Sequence, residues 1–598
     1  MKKIKVGAAF SDSIYSEKSS FTRLKHGFGG TDPKLRQVLF RILLFLAGGV
    51  LLFRLFFLQV VNGQQYRLLS DSNRTRTEII HAPRGIIFDR HGIPLVFNMP
   101  GYREVINGKT IFLDQKAALP LLAKGDKRLE IDNLREYPFK DMAVHVVGYI
   151  GQISQDELSE GAFDTYRVGD VIGKMGIEQY YETQLKGIDG RKLDEIDATG
   201  KFVRTLGVTD PVPGQNITIT LDNTLQQAAF SAMEGVQKGA VIVSRPNGEI
   251  LALVSKPTFD PNLFTLGQQY TESSISAYPS ITSVLLDGTG QPLLNRAIGG
   301  VYPPGSTFKL VTAAAGLETK KIDANYTVDD TGILKIGNFS FSNWYFSQYG
   351  RTEGEVNVVK AIKRSNDIFF YKLGELLGVD TISGQAAKFG AGSALGIDLE
   401  GEHKGLLPTK EWKQKTLGEQ WYTGDDYHYG IGQGYLLTTP LQVNAWTQAI
   451  ANDGTLFKPH LLLSEKPQIL QKNSISSSTQ SLIREGMIEA CSTGGVAWPL
   501  FNFSVKNPQL AIDGKDFYVP ENATNSARPD TIGVRIACKT GTAQHGDEQT
   551  LPHAWITLFA PAYNPQIVVT VLAESSGEGS NVAAPVAKKI LEAYFGKL

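Results

Sequence analysis

The chain has 598 residues, with 60 basic and 60 acidic side chains and 42% hydrophobic residues. One hydrophobic core rarely serves so long a chain, so we expect two or more folded domains. The balanced charge provides no field that would attract nucleic acid, and we expect no nucleic-acid partner. The composition is that of a globular protein, which excludes a disordered or fibrous chain.

The first predicted element is a membrane-spanning helix at residues 38–61. This segment is almost wholly apolar, and the preceding residues 1–37 are polar and basic. A helix of about 24 residues covers ~36 Å, which is enough to cross a bilayer with some tilt. Because the basic residues come first, we expect residues 1–37 to be a cytoplasmic tail and the remainder to be extracytoplasmic. A cleaved signal peptide is the competing interpretation, but no small-residue cleavage site follows, which favours an uncleaved anchor.

Residues 62–215 are predicted to form a separate extracytoplasmic region. Residues 79–98 alternate turn residues with strand-like pieces around Arg84, Asp89 and Arg90. These charged residues could serve catalysis, but we expect a structural ion-pair network that holds two segments together. Residues 173–185 have the pattern of an amphipathic helix.

The last region, residues 216–598, is predicted to have an α+β fold. Predicted strands at 217–219, 240–244 and 250–255 lie at its start, and those at 555–559 and 567–572 lie near its end. Helical patterning dominates between them, and a helix at 582–595 follows. A sheet built from both ends and covered by helices is expected to be antiparallel. The strand that carries Lys539 can present an edge of this sheet to a substrate.

Ser306 and Lys309 form the first candidate catalytic pair. Two prolines and a glycine precede a helical run at 307–318, so Ser306 falls at a helix N-terminus, where free N–H groups favour negative charge. Lys309 lies about one turn further on, and its amine can reach the serine hydroxyl. A partly desolvated lysine can take the serine proton and make the hydroxyl a nucleophile. Alone, such a pair is more often part of an exposed helix face.

Two later motifs make the chemical interpretation more specific. They are Ser365-Asn366-Asp367 and Lys539-Thr540-Gly541-Thr542. A lysine and two hydroxyl groups beside a glycine suit a substrate carboxylate that lies close to a strand backbone. An S-x-x-K motif, then an S-x-N-like triad, then K-T-G, in this order, is the signature of penicillin-binding proteins and serine β-lactamases.

The sequence resembles the class B penicillin-binding proteins, most closely their elongation-type branch, penicillin-binding protein 2. The resemblance covers nearly the whole chain after residue 38, and further similar motifs lie at residues 84–90, 292–297, 408–415, 421–422, 430–435, 439–442 and 553–555. It implies a single transmembrane helix, a mostly β pedestal domain at residues 62–215 and a transpeptidase domain at residues 216–598. The head of the pedestal, residues 102–138, is shorter than is usual in the family.

The resemblance also implies a serine-type D-Ala-D-Ala transpeptidase that uses no cofactor and no metal. Ser306 would attack the D-alanyl-D-alanine bond, Lys309 would take its proton, and Ser365 would relay a proton to the leaving D-alanine. Backbone N–H groups of Ser306 and Thr542 would form the oxyanion hole. The donor carboxylate would be held by the K-T-G strand, that is, by Lys539, Thr540, Gly541 and Thr542.

Asp367 departs from the family pattern, because most relatives carry asparagine at this position. A carboxylate here can pair with Lys309 and favour its charged form, which is the wrong direction for a base. Alternatively, Asp367 orients substrate amides while Lys309 stays neutral. The elongation-type branch often tolerates aspartate, so the expected activity stands.

The implied function is the cross-linking of peptidoglycan stem peptides at the plasma membrane during cell elongation, with β-lactam antibiotics as further ligands. Because the chain has no room for a glycosyltransferase domain, the resemblance implies a SEDS-type glycan polymerase that contacts the membrane helix and the pedestal. Three alternatives stay open: a division-type relative, a β-lactamase or β-lactam sensor, and a catalytically idle scaffold that activates a polymerase.

Three smaller features are less specific. Cys491 and Cys538 lie in apolar surroundings and are expected to be buried free thiols, although an exported domain permits a disulfide between them. Residues 501–531 are predicted to be a solvated loop insertion. Asp425, Asp426 and His428 offer a weak pattern for a metal site, because further ligands are absent nearby in the sequence.

Overall fold

The computed structural model describes residues 32–106, 109–124, 129–159, 166–197, 199–266, 270, 277–507, 509–512, 514–520, 531–546 and 549–596. Most of the expected cytoplasmic tail, residues 1–31, lies outside the described residues. The chain divides into two units. One contains the residues up to Glu78 together with Lys192–Gly207, and the other contains Ile79–Arg191 and Val208–Leu598.

Helices and short strands alternate along the chain. The α-helices are α1 Pro33–Phe56, α2 Gly63–Arg74, α3 Gln115–Ala123, α4 Val144–Val147, α5 Gln155–Ser159, α6 Gly176–Tyr180, α7 Glu182–Leu185, α8 Asn223–Ala232, α9 Ile281–Leu286, α10 Lys309–Glu318, α11 Trp344–Tyr349, α12 Val358–Arg364, α13 Asp367–Lys388, α14 Lys410–Leu417, α15 Thr423–Gly430, α16 Pro440–Ala451, α17 Ser477–Ala490 and α18 Ala583–Gly596. The strands are β1 Thr75–Ile80, β2 Ile87–Phe88, β3 Pro94–Ile106, β4 Lys109–Leu113, β5 Leu129–Glu136, β6 Tyr149–Gln152, β7 Val171–Met175, β8 Gly190–Ile196, β9 Phe202–Thr209, β10 Ile217–Thr218, β11 Gly239–Ser244, β12 Ile250–Lys256, β13 Thr327–Asp330, β14 Ile333–Ile336, β15 Phe339–Ser342, β16 Gly354–Asn357, β17 Leu456–Phe457, β18 Ile469–Gln471, β19 Ser504–Lys506, β20 Phe517–Tyr518, β21 Thr531–Val534, β22 Ala537–Ala543, β23 His553–Ala560 and β24 Ile567–Ala573.

The expected membrane helix is present as α1, which continues into a π-helical turn at Phe57–Val61. The span Lys34–Val61 has a mean hydropathy of 2.2 and is long and apolar enough to cross a membrane once. The helix begins before the predicted residue 38. The reason is local, because Asp32 accepts a hydrogen bond from Lys34 N–H and Pro33 suits the first helical position.

Residues 79–191 of the second unit surround a buried group of charged side chains. Arg84 Nε lies 2.6 Å from Glu178 Oε2, and Arg135 Nε lies 2.7 Å from Glu178 Oε1. Arg84 also bonds Glu182 at 2.5 Å. The network joins the segment before β2 to β5, α6 and α7, which confirms the structural role predicted for Arg84.

The neighbouring charged residues of the same segment also have structural partners. Arg90 Nη2 lies 3.3 Å from Glu249 Oε2. Asp89 Oδ1 accepts hydrogen bonds from the N–H groups of His91 and Ile93, each at 2.8 Å. These contacts shape a turn between β2 and β3 and take no part in a candidate active site.

The predicted helix at residues 173–185 is wrong in its first part. Strand β7 runs to Met175, and two short helices, α6 and α7, follow it. Gly176 has φ of +66°, a left-handed conformation at which the chain turns sharply. Gly173 lies so close to α6 that a Cβ there would be 2.0 Å from Glu178 O, so the strand packs on the helix instead of joining it.

Replacing Glu178 with glutamine is expected to destabilise residues 79–191 by about 3–5 kcal/mol, because two buried arginines lose their shared carboxylate. Glu157→Gln is the control: its pair with Lys174, at 2.6 Å, is partly exposed, so we expect a loss of at most about 1 kcal/mol. Native-state hydrogen exchange at β5 and β7 measures both free energies. Equal losses would contradict the stabilising role of the network.

The main sheet of residues 216–598 has five strands in the order β12-β11-β24-β23-β22, all antiparallel. Side chains alternate between its faces. Ile242 and Leu572 belong to the core that contains α10 and α16, and Val241 and Val571 belong to the core that contains α8 and α18. Both sequence ends of the region build the sheet and β22 is an edge, which confirms the predicted α+β fold.

The two cysteines are joined, so the expectation of free thiols is wrong. Cys491 follows α17 and forms a disulfide with Cys538 of β22, with the Cα atoms 5.9 Å apart. Both residues are buried, as predicted, but apolar surroundings do not reveal a pairing partner 47 residues away. The bond ties α17 to the strand that carries Lys539.

Residues 501–531 are more ordered than a solvated loop. Strands β19 and β20 both pair with β21 in a three-stranded sheet. Phe503 and Val505 are only 3% and 5% exposed and join the core beneath α18. The prediction is therefore wrong for the start of this segment, because its few apolar side chains find a place in the core. Residues 508, 513 and 521–530 lie outside the described residues.

Candidate active site

Ser306 lies on a 3₁₀ turn, Gly305–Phe308, that leads directly into α10. Lys309 N–H donates to Ser306 O across this turn, and Thr307 Oγ1 donates to Pro304 O at 2.8 Å. The predicted helix start is therefore shifted, since the first turn is 3₁₀ and the α-helix begins at Lys309. Ser306 is half-buried whereas Thr307 and Lys309 are buried, so solvent reaches the turn at the serine.

The serine turn packs directly against the edge strand β22. Gly305 has φ of +53°, and a Cβ there would lie 3.0 Å from Thr542 O, so glycine permits the close approach. On the strand side, a Cβ on Gly541 would lie 3.1 Å from Thr307 Cγ2. Ser306 and Thr542, the expected oxyanion-hole residues, thus come from two backbone segments in contact.

Lys309 is completely buried, and its amine points to the S-x-N-like triad. Lys309 Nζ lies 2.6 Å from Asp367 Oδ1, 2.8 Å from Ser365 O and 3.4 Å from Ser365 Oγ. Among the hydrogen bonds of the described residues, none joins Lys309 Nζ to Ser306 Oγ. Burial lowers the pKa of Lys309 below its usual value, and the Asp367 carboxylate opposes this shift.

Lys539 approaches the same hydroxyl from the strand side. Its buried Nζ lies 2.8 Å from Ser365 Oγ and 2.8 Å from Thr540 O. Burial lowers the pKa of Lys539 well below its usual value, and the nearby charge of Lys309 acts in the same direction. Ser365 Oγ therefore lies between two lysine amines, as a proton relay requires.

Ser365 reaches this position through an unusual backbone conformation. It ends α12 with φ of +53°, in the left-handed region that costs a residue with a Cβ roughly 1–2 kcal/mol. The following residue, Asn366, caps α13 because its side chain accepts a hydrogen bond from Phe369 N–H. The predicted start of a helix after the triad is confirmed, and Asp367 is its first residue.

The remaining residues of the K-T-G motif line the sheet edge. Thr540 is 8% exposed, and Thr542 is half-buried with its Oγ1 accepting a hydrogen bond from Gly579 N–H at 3.4 Å. Gly541 leaves room for the serine turn, since a Cβ there would also meet Pro304 O at 3.2 Å. The structure thus brings the three predicted motifs together at one place.

Three residues that no sequence motif indicated complete the site. Trp344 N–H donates to Asp367 Oδ2 at 2.9 Å, and Asn343 Oδ1 accepts from Asp367 N–H at 3.2 Å. Asp330 in turn accepts a hydrogen bond from Asn343 Nδ2. These residues precede the triad by 23 to 37 positions without a recognisable spacing, so sequence reasoning offered no signal for them.

The carboxylates of the weak metal pattern are held by protein neighbours. Lys413 Nζ lies 2.7 Å from Asp425 Oδ2, and Trp421 Nε1 donates to Asp426 Oδ1 at 2.9 Å. Within the described part of the chain, no three His, Cys, Asp or Glu side chains gather as a metal ion would require.

Replacing Asp367 with asparagine tests the pair it forms with Lys309. The carboxylate raises the pKa of Lys309, so its removal lowers this pKa further and increases the fraction of neutral amine at acidic pH. We expect the acid limb of penicillin acylation to move to lower pH, with acylation about tenfold faster than wild type on that limb. Rates with a fluorescent penicillin from pH 5 to 9 measure this. An unmoved limb would show that the pair does not control the base.

Two family models match the chain. Residues 238–592 match the penicillin-binding protein transpeptidase domain, and residues 127–219 match the penicillin-binding protein dimerisation domain. The chain therefore belongs to the penicillin-binding protein transpeptidase family.

Individual relatives narrow this assignment. The peptidoglycan D,D-transpeptidase MrdA of Escherichia coli K12 is 31% identical, covering 89% of this chain and 90% of MrdA. The PBP2 structure of Pseudomonas aeruginosa in complex with WCK 5153 has a TM-score of 0.65 at 32% identity, covering 88% of this chain and 98% of PBP2. PBP2 of Helicobacter pylori in complex with MreC has a TM-score of 0.70 at 27% identity, covering 87% and 98%. These similarities confirm the predicted resemblance to the elongation-type branch.

Proposed function

We propose that this protein is a peptidoglycan D,D-transpeptidase that cross-links stem peptides during cell elongation. The observation that carries the proposal is the meeting of two buried lysine amines at the Ser365 hydroxyl, one turn from the half-buried Ser306 and beside the sheet edge. A buried pair of cations without a bound anion is poorly stabilised, which suits a site that receives a carboxylate.

In the first half-reaction, Ser306 Oγ attacks the carbonyl carbon of the penultimate D-alanine and forms an ester. The peptide bond to the terminal D-alanine breaks. The serine proton passes to neutral Lys309 and, through Ser365, to the leaving amine. The N–H groups of Ser306 and Thr542 stabilise the oxyanion that forms between these events.

The donor lies along β22 with its terminal carboxylate at the K-T-G motif. Lys539 supplies the charge and Thr540 and Thr542 supply hydroxyl donors, while Gly541 keeps the strand close to the serine turn. In the second half-reaction, the amine of a neighbouring stem peptide attacks the ester carbon. Its proton returns through the same relay to Ser306, and the cross-link is complete.

The membrane arrangement and the partners are part of the proposal. The basic N-terminal tail places residues 1–37 in the cytoplasm and the catalytic domain outside the plasma membrane. A SEDS-type glycan polymerase would contact the membrane helix and the pedestal and supply the uncross-linked glycan. β-Lactams would acylate Ser306, because their ring amide replaces the D-alanyl-D-alanine bond.

Mass spectrometry of the penicillin-treated protein tests the proposal. We expect one stable adduct on the peptide that contains Ser306, and a short-lived adduct would indicate a β-lactamase instead. Complementation by Ser306→Ala separates the idle scaffold, which would still support growth. A fluorescent fusion separates the division-type alternative, because elongation predicts side-wall patches and division predicts a mid-cell band.

A further inference from the structure

Asp330 is a buried carboxylate that accepts only neutral donors. It ends strand β13 and is 2% exposed. Asp330 Oδ2 accepts hydrogen bonds from Asn343 Nδ2 at 2.8 Å, from Asn366 Nδ2 at 2.9 Å and from Glu353 N–H at 3.0 Å. Its Oδ1 accepts from Gly332 N–H at 2.9 Å. Four donors on one buried carboxylate make a rigid centre.

The two asparagine side chains are oriented by this carboxylate. Because an ionised carboxylate only accepts hydrogen bonds, Asn343 and Asn366 must both turn their NH₂ groups towards Asp330. Their carbonyl oxygens then point the opposite way. Asn343 Oδ1 accepts from Asp367 N–H at 3.2 Å, and Asn366 Oδ1 accepts from Phe369 N–H at 2.9 Å.

Both carbonyl oxygens hold the start of α13. Asn366 caps the helix, and Asn343 fixes the backbone of Asp367, its first residue. The residue after Asn343, Trp344, donates its N–H to Asp367 Oδ2, which leaves Oδ1 for Lys309 Nζ at 2.6 Å. The orientation of the Asp367 carboxylate therefore follows from the position of Asn343.

The geometry points to Asp330 as a positioning residue that sets the Asp367–Lys309 pair and the Ser365 hydroxyl through two buried amides. It does not touch the reacting atoms. This inference rests on the proposed acyl transfer at Ser306, and it adds to the three motifs a carboxylate that lies outside all of them.

Asp330→Leu tests the inference, because leucine has a similar shape and no acceptor. Asn343 and Asn366 are then free to rotate, and Asp367 no longer faces Lys309. We expect the acylation rate of folded protein to fall by about 30-fold or more, and the acid limb of its pH profile to move to lower pH, as for Asp367→Asn. A merely structural loss reduces the folded fraction and leaves the limb in place.

Two matched variants complete the experiment. In Asp330→Asn, the amide oxygen can take the place of Oδ2 and keep the bonds to both asparagines, so we expect a rate within about fivefold of wild type and an unmoved limb. Asp329→Leu changes the exposed neighbour on the same strand and is expected to behave as wild type. All rates are divided by the folded fraction from near-UV circular dichroism.

The outcomes are distinguishable from a failure of the proposed function. If wild-type protein gives no Ser306 adduct, the transpeptidase proposal fails. If wild type acylates and folded Asp330→Leu has the same rate and limb, only the positioning role fails. Should Asp330→Leu not fold, Asn343→Ala removes the acceptor of Asp367 N–H and must show the same fall and shift. If neither variant folds, the network is structural and the inference is overturned.

Discussion

Replacing Lys309 with methionine is expected to lower the acylation rate at Ser306 by about 10³-fold, within the 10²–10⁴-fold range of general base catalysis. Methionine fills a similar volume in the fully buried site but carries no amine to take the serine proton. The measurement is the second-order rate constant with a fluorescent penicillin, together with the melting temperature. Above the acid limb, the loss should not depend on pH, because the titrating base is gone.

The single substitution also leaves the Asp367 carboxylate without its cation, which costs about 3–5 kcal/mol of stability. The double variant Lys309→Met/Asp367→Asn removes this charge. We expect it to recover most of the melting temperature and none of the rate. Recovery of the rate together with stability would show that Lys309 maintains the fold of the site and that another group is the base.

The motifs could be predicted from sequence because each has a fixed local spacing. Three residues separate Ser306 from Lys309, a glycine marks the K-T-G strand, and the triad starts a helix at the predicted position. The membrane helix and the edge strand follow from apolar runs of helix and strand length. The order of the motifs then indicated the family, and the family indicated where they converge.

The contacts within the site could not be predicted, because they join residues that are distant in the chain. Local spacing suggested that Lys309 reaches Ser306, but the amine instead bonds Asp367, 58 residues away. The orientation of Asp367 depends on Asn343 and Asp330, which carry no motif. Pairing of Cys491 with Cys538 depends on helix α17 packing against β22, and hydrophobic patterning does not specify which elements pack together.

One result of the site geometry concerns charge. Two buried lysines share a single directly bonded carboxylate, Asp367, and the pKa of each lysine is lowered by burial. The free site therefore has less than two full positive charges near neutral pH. A bound donor brings a second carboxylate, which favours protonation of Lys539. Substrate binding and proton uptake are thus coupled on the strand side of the site.

Lys539→Met is accordingly expected to lower the second-order rate constant for benzylpenicillin by about 10²–10³-fold, the usual cost of removing one partner from a buried charge pair. The pH profile gives the sign. Lys539 is charged below its lowered pKa, so carboxylate binding is present at low pH and is lost as pH rises through that pKa. Wild type should show this alkaline limb, and Lys539→Met should lack it.

Lys506→Met is the control, since Lys506 is an exposed lysine on β19 and its loss should change neither rate nor profile. A β-lactam ester without the free carboxylate gives a second comparison. Wild type should lose most of its preference for the acid over the ester in Lys539→Met, because the cation that distinguishes the two is absent. If the variant keeps the preference and the alkaline limb, another group binds the carboxylate, and the donor does not lie along β22 as proposed.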